Sequence, residues 1–500
     1  MASRRKAVPR PGADELPLRR ARTPRAATHR RSNPRDHQSD QGVKGGKRHD
    51  PADARCLQEL TDHPADAAAI RVSGCGERNR QTEGAPVTRG LGRNFYLYWA
   101  ARGVTKLGSA LTMVVLPLLV FKLSGSPALT SLMVVVDTTP MVLFGMVGGA
   151  VGDMWPRRTI TVIADICSAL ALSSIVICSW LGQLGVAVIL VAGFISQTGE
   201  VMYDGANWGA TPALVKRDEL DRANGLVWGT QSLMELAGPG LVGMLLVVLS
   251  PSQVVLFDVV SFAASTLLIR AVSTTMSDHT SSQTARIRNI PHEIANGLRY
   301  LRTQPGLARL VGVGTTASAA VGAMFGILVP WVVDGLDVPG SGWMFSVMMA
   351  SWSLGAAIGA FATGRVRAGE RAIFATRRLT FLAALCCLAL IGVSVWWLAA
   401  VILVAYIFCH TAQYMSVITL RQRIVPSSYL SRVNAATRVV SYGVGTVGGA
   451  ALGGYLATQF GYSAVLCFAA VLHMISCLIS WSPKLAVLER QARDEVSSVA

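Results

Sequence analysis

The stretch Gly145-Met-Val-Gly-Gly149-Ala150-Val-Gly-Asp153-Met154-Trp-Pro156-Arg157-Arg158 has a partial copy in Gly355-Ala-Ala-Ile-Gly359-Ala360-Phe-Ala-Thr363-Gly-Arg-Val-Arg367. Gly145, Gly149, Ala150 and Arg157 recur as Gly355, Gly359, Ala360 and Arg367, at an offset of 210 positions. The same offset carries Val215, Leu220, Arg222 and Asn224 onto Val425, Leu430, Arg432 and Asn434, and Gly238 and Gly243 onto Gly448 and Gly453. Each match alone is weak, and chance among Gly- and Ala-rich helices is the competing explanation. One offset shared by three places argues for duplication. Both copies of the longest stretch sit where an apolar run meets a basic loop. Two similar halves with their repeated loops on one side are the plan of a membrane protein built from internal repeats.

Working outward, the composition agrees. Of 500 residues, 51% are hydrophobic and only 15% are charged, a balance that suits many membrane spans better than an aqueous core. The net charge of +17 is not spread as a nucleic-acid surface would be. Residues 1–90 hold 19 Lys and Arg against 11 Asp and Glu, and most other basic residues flank apolar runs. That tail lacks helical or strand periodicity and reads as disordered. It has no apolar segment of the kind a signal peptide needs. An anionic-lipid or nucleic-acid contact and a start at Val87 are the rival readings of it. The nine cysteines form no disulfide framework or metal spacing, and those in apolar stretches behave as small hydrophobes.

Runs long enough to cross a bilayer, about 20 residues each, fall at 95–120, 129–151, 160–181, 184–207, 225–249, 253–272, 307–333, 341–364, 376–394, 396–419, 434–457 and 462–481. The expected fold is therefore an all-α membrane protein, with twelve transmembrane helices in two six-helix pseudo-repeats. Its parts are a basic tail at 1–90, a first bundle at 91–272, a linker at 273–306, a second bundle at 307–483 and a tail at 484–500. Arg157 and Arg158, Lys216, Arg217 and Arg222, Arg286 to Arg302, Arg365 to Arg371, and Arg421 to Arg432 all lie on one side. The opposite loops hold little beyond Lys122. Positive charge gathers on the cytoplasmic side, which predicts both termini there and a multi-pass protein of the cytoplasmic membrane. Within the linker, Ile294, Leu298 and Leu301 share one face of a short amphipathic helix.

The loop after the second span resembles the signature G-x-x-x-D-[RK]-x-G-[RK]-[RK] of the major facilitator superfamily, matching at Gly149, Asp153, Arg157 and Arg158. Met154 replaces the usual base, Pro156 the usual glycine, and Thr363 stands at the second-half counterpart of Asp153. The resemblance covers the chain from Asn94 onward. It implies a gating loop whose contacts break as the halves rock apart. Asn94-Phe95 through Trp99, Leu107-Gly108, Asp204 with Asn207, Ala223-Asn224-Gly225, Asp258 with Ser261-Phe262, and Gly297 to Leu301 followed by Pro305 are similar to the drug and macrolide efflux and enterobactin-exporter-like branch. Gly238-Pro239-Gly240-Leu241-Val242-Gly243 is similar to the antiporter signature G-P-x-x-G-G, with Val242 in place of one glycine. It implies export by exchange with protons. Proline removes a backbone donor and bends a helix, while small residues admit a close neighbour.

Charges inside a span are costly, about 2.5–3.5 kcal/mol each on insertion scales, so each invites a functional reading. Arg102 and Lys106 lie one turn apart on the first span, Arg102 shallow enough to snorkel to the surface and Lys106 deeper. Glu200, Asp204 and Asn207 form one polar stripe on the fourth span, and the resembled fold has the first and fourth spans lining a central cavity. Proton coupling needs a carboxylate whose proton affinity changes between two states. Glu200 and Glu235 are the first candidates and Asp137 the next. Asp204, Asn207 and Asp258 are assigned structural polar roles instead, and His410 and His473 packed ones. Trp352 and Tyr414 are candidates to line an apolar cavity.

No nucleophile elbow, HExxH, P-loop or metal cluster appears, so neither an enzyme nor a cofactor is expected. The expected function is proton-coupled antiport of a bulky amphipathic small molecule, such as an antibiotic, secondary metabolite or siderophore. The expected partners are that substrate, protons and the bilayer, with no nucleic acid and a monomeric state. An importer of a small metabolite on the same fold is the alternative, and a non-transporting membrane sensor a remoter one.

Overall fold

The computed structural model describes residues 91–148, 151, 155–207, 210–273, 290–365 and 372–490. The expected basic tail at 1–90, Gly149 and Asp153 of the gating loop, residues 274–289 of the linker and the last ten residues lie outside them.

The described chain is helical. In order come α1 (Arg93–Ser124), α2 (Pro127–Phe144), α3 (Arg157–Trp180), α4 (Val186–Asn207), α5 (Leu220–Val248) and α6 (Pro251–Ala271). The linker helix α7 (Ile290–Thr303) precedes α8 (Pro305–Pro330), α9 (Gly342–Arg365), α10 (Ala372–Ile391) and α11 (Trp396–Ile424). The last are α12 (Ser427–Arg438), α13 (Gly448–Phe460) and α14 (Tyr462–Ser480). Eleven of the described helices are long and apolar enough to span a membrane. The run expected at 434–457 is not among them, because it is not one α-helix. It is α-helical to Arg438, π-helical over Val439–Val447, and α-helical again from Gly448.

Local sequence sets the tight turns at the end away from the basic loops. Gly125 takes φ +59° and closes α1, as a left-handed position favours. Ser126 then caps α2, accepting from the Leu129 amide at 3.4 Å, with Pro127 in the first turn. Ser250 and Gln253 form a reciprocal capping box at the start of α6.

The packing follows the same scheme twice. In the first set α1 lies against α5 and α6, α3 against α4 and α6, and α2 against α4. In the second set α8 lies against α13 and α14, α10 against α11 and α14, and α9 against α11. Across the sets, α5 meets α9, and α2 meets α8 and α13. Leu170, Leu267 and Leu478 are among the exposed apolar side chains, as a lipid-facing surface requires.

Small residues set the closest approach. Gly445, Gly449 and Gly453 recur every fourth residue and lie on Thr315, Ala319 and Ala323 of α8, which share that spacing. Lipid supplies no hydrophobic drive between helices, so such backbone proximity and its dispersion contacts hold them together. Gly238 meets Ala110 within the first set, whereas Gly240 and Gly243 face Ala350 and Ser346 of α9 across the sets. Pro239 sits inside a continuous α5.

The buried apolar side chains divide unevenly along the helix axes. At the end away from the basic loops one cluster joins both sets, running through Leu118, Met133, Ile327 and Phe345. At the basic-loop end there are two. One holds Phe95, Tyr98 and Val227, and the other Leu310, Val417 and Val433 with Leu301 of α7. The linker helix packs on α12, where the Tyr300 and Tyr429 rings stack at 4.6 Å.

A valine at Gly453 would bring its Cβ to 2.8 Å from the Ala323 Cα, whereas the same change at Gly448 meets open space. The expected cost of the first is about 1–3 kcal/mol of overpacking. A thermal melt of the detergent-solubilised protein should show a lower midpoint for Gly453→Val and little change for Gly448→Val.

Candidate functional site

The buried charges of α1 meet the polar stripe of α4. Lys106 Nζ lies 2.5 Å from Glu200 Oε1 and 3.4 Å from Asp204 Oδ2. Arg102 Nη1 lies 3.0 Å from Asp204 Oδ1, so one carboxylate is shared by two cations. Arg102 Nη2 donates to Gln231 Oε1 of α5 at 3.0 Å, and Gln231 Nε2 donates to Glu235 Oε1 at 2.8 Å. Trp99 Nε1 donates to Thr230 Oγ1 at 2.9 Å and ties α1 to α5 beside the network. The Tyr203 ring centroid lies 5.8 Å from the Arg102 guanidinium carbon, a cation–π distance.

Helical spacing explains the assembly. Arg102 and Lys106 lie one turn apart, as do Glu200 and Asp204, and Gln231 and Glu235. The cations are the buried members, with side chains 8% and 9% exposed, while Asp204 is 39% exposed. Arg102 therefore does not snorkel to the surface, as its shallow position predicts. A carboxylate within reach replaces the water it would otherwise seek. Two cations stand against three carboxylates, so with every group ionised the network carries a net charge of −1.

A cavity of about 310 Å³ opens beside this network, lined by Tyr98, Arg102, Asp204, Asn224, Trp228 and Gln231. The other expected site residues fall as follows. Glu235 is exposed, on the same helix as Pro239. Asp137 is half-buried on α2, within Coulombic range of Glu200. Asp258 is buried, and its Oδ1 accepts from Ser261 Oγ at 3.0 Å within α6. Arg158 donates to the Arg270 carbonyl at the end of α6, and Arg157 opens α3. Asn207 ends α4. The Gly238–Gly243 segment stands at the α5–α9 contact rather than at the network.

Three features were not foreseen. Gln231 bridges Arg102 to Glu235, and its spacing one turn before Glu235 is the signal that marks it. Arg438 of α12 reaches across to α2, donating to the Gly145 carbonyl at 3.5 Å. There it faces the negative end of the α2 dipole. Tyr414 and Tyr442 join α11 to the π-helical segment, their hydroxyl oxygens 3.0 Å apart. Trp352 packs on Phe325 at 5.0 Å, and His473 Nε2 lies 3.3 Å from the Tyr406 hydroxyl.

Residues 85–499 match the family described as transmembrane secretion effector. Macrolide efflux protein A of Streptococcus pyogenes is 25% identical over 222 residues, which is 44% of this chain and 54% of that protein. The multidrug efflux pump Tap of Mycolicibacterium fortuitum is 23% identical over 256 residues, 50% of this chain and 62% of the pump. The chain thus spans a little over half the length of the curated relatives it matches. Among solved structures, a bacterial homologue of the iron transporter ferroportin in an inward-facing state superposes with a TM-score of 0.63. Its identity is 14%, covering 78% of this chain and 98% of that one. A nucleoside transporter superposes with a TM-score of 0.62 at 12% identity, covering 80% and 99%. These likenesses establish the fold.

Removing Lys106 alone leaves its carboxylates under-compensated, whereas removing Lys106 and Glu200 together preserves the charge balance. Melting of Lys106→Met, Glu200→Gln and the double variant should be non-additive, with a coupling of about 1–3 kcal/mol. Additive midpoints would show that the pair contributes no coupling.

Proposed function

Because the chain belongs to the transmembrane secretion effector family and is a transporter of the major facilitator superfamily, we propose that it exports a bulky amphipathic small molecule by antiport with protons. The observation that carries this reading is the carboxylate surplus of the Arg102–Lys106–Glu200–Asp204–Gln231–Glu235 network, beside a cavity with an aromatic wall. A network one positive charge short of neutrality has a place for one proton. Glu235 is exposed and bonded to a neutral amide, while Glu200 shares Lys106 with Asp204. Both are placed to lose or gain a proton as their surroundings change. Asp137 is a third candidate on α2.

Alternating access supplies the change of surroundings. The interrupted helix over Ser427–Phe460 counts as the twelfth crossing, and the repeated packing pairs support two six-helix bundles. One shared core at one end and two separate cores at the other fit a state open toward the basic loops. By the charge rule that side is the cytoplasm and both termini face it. Gly149, Asp153, Arg157 and Arg158 act as the gating loop at that end. Gly238, Pro239 and Gly243 mark the segment of continuous α5 on which the halves pivot, since Gly243 meets α9 there. Asp204 anchors both cations rather than carrying the transported proton.

The macrolide and multidrug efflux relatives support an amphipathic cargo. In inside-out vesicles with an acidic lumen, the wild-type chain should accumulate a radiolabelled macrolide and release it on collapse of the proton gradient. Glu235→Gln or Glu200→Gln should abolish that accumulation by at least about tenfold, one proton-transfer site's worth, while equilibrium binding of the macrolide persists. Normal pumping by both variants would refute the assignment of the coupling residues. Accumulation with the opposite direction of gradient would make the chain an importer.

A further inference from the structure

The two sets of helices carry opposite chemistry. Every described ion pair lies in the first set, in the network of α1 and α4. In the second set no described arginine forms an ion pair with a described carboxylate, Arg421 and Arg438 among them. Among the described residues Arg421 Nε is buried without a hydrogen-bond partner, and Arg438 reaches the Gly145 carbonyl and the Met141 sulfur. Between them stands the Tyr414–Tyr442 hydroxyl pair, 3.0 Å apart. Both guanidinium groups lie within Coulombic range of the Tyr414 hydroxyl. Helical register accounts for the convergence. Arg438 and Tyr442 are one turn apart, and Tyr414 and Arg421 two turns apart, so each helix presents its hydroxyl and guanidinium on one face.

We propose that Arg421, Arg438, Tyr414 and Tyr442 form a binding site for an oxyanion, a carboxylate or phosphate borne by the cargo. The inference rests on the reading of the chain as an exporter of amphipathic molecules, and it extends that cargo to acidic and zwitterionic ones. Arginine presents a fork of donors that matches a planar carboxylate or a phosphate edge. Two of them, half-buried at the basic-loop end and without a described counter-ion, are incomplete, and an anion completes them. The hydroxyl pair adds donors: one tyrosine donates to the other, which leaves the second hydroxyl hydrogen free for the ligand. Tyr442 lies in the π-helical segment, a deviation found often where a helix serves a site.

The test uses the full-length chain in phosphatidylcholine nanodiscs, with pyrenebutyrate and its neutral analogue pyrenebutanol followed by fluorescence anisotropy. Pyrenebutyrate should bind about tenfold more tightly than pyrenebutanol, the value of one charge-assisted contact. Arg421→Gln and Arg438→Gln should each bring pyrenebutyrate close to the affinity of pyrenebutanol measured on the same variant. Arg421→Lys and Arg438→Lys should retain most of it, and Tyr442→Phe should lose about two- to threefold. Equal affinity of the wild-type chain for the two probes would overturn the proposal, as would lysine variants no better than glutamine ones. Displacement of the probe when phosphatidylglycerol replaces part of the phosphatidylcholine would assign the site to a lipid headgroup and overturn it too. Undiminished binding there supports it. No gradient enters this measurement, so its outcome is separate from that of the vesicle assay, which tests export itself.

Discussion

A bilayer interior cannot hydrate a charge, and that constraint organises the first six helices. Arg102 and Lys106 on α1 are almost fully enclosed, so α1 is stable only where α4 brings Glu200 and Asp204 to it. Breaking such a pair by removing one partner costs about 3–5 kcal/mol when it is buried. The partial exposure of Asp204 and Glu200 softens the figure here. Gln231 extends the same bonding to α5, so three helices are held in one register by polar contacts. The apolar faces of the helices then pack around a fixed axis of charge.

The second set meets the same constraint with different means. Its helices hold to one another through small residues, the Gly445–Gly449–Gly453 series on Thr315, Ala319 and Ala323. Among the described residues its polar groups include hydroxyls, imidazoles and guanidiniums but no acid–base ion pair. The consequence is a molecule with one scheme of helix packing and two unlike polar walls.

Much of this was readable from residue order. Arg102 with Lys106, and Glu200 with Asp204, each at helical spacing, marked two polar faces in need of partners, because an intramembrane charge is costly alone. The resemblance to the superfamily's fold is what implied that these two faces share a cavity. Gln231 escaped notice because a neutral amide in a span has no obligation as strong. Arg438 lies inside the run expected at 434–457 with nothing to single it out, for its target is a backbone carbonyl on a helix almost 300 positions earlier, and carbonyls leave no mark in a sequence. The interruption at Val439–Val447 was hidden for a related reason, since a π-helical stretch has the same apolar composition as an α-helical one.

Sequence alone determined that this chain is a helical membrane protein of two related halves, with its positive loops on one side. Those properties follow from hydrophobic length and charge placement, which are local and additive along the chain. Only the tertiary structure decided that Asp204 serves two cations, that α5 meets α9 through Gly240 and Gly243, and that the cores part at the basic-loop end while merging at the other. Each depends on distances between helices far apart in the chain. Such distances are set by how side chains interlock, and no periodicity within a single helix encodes them.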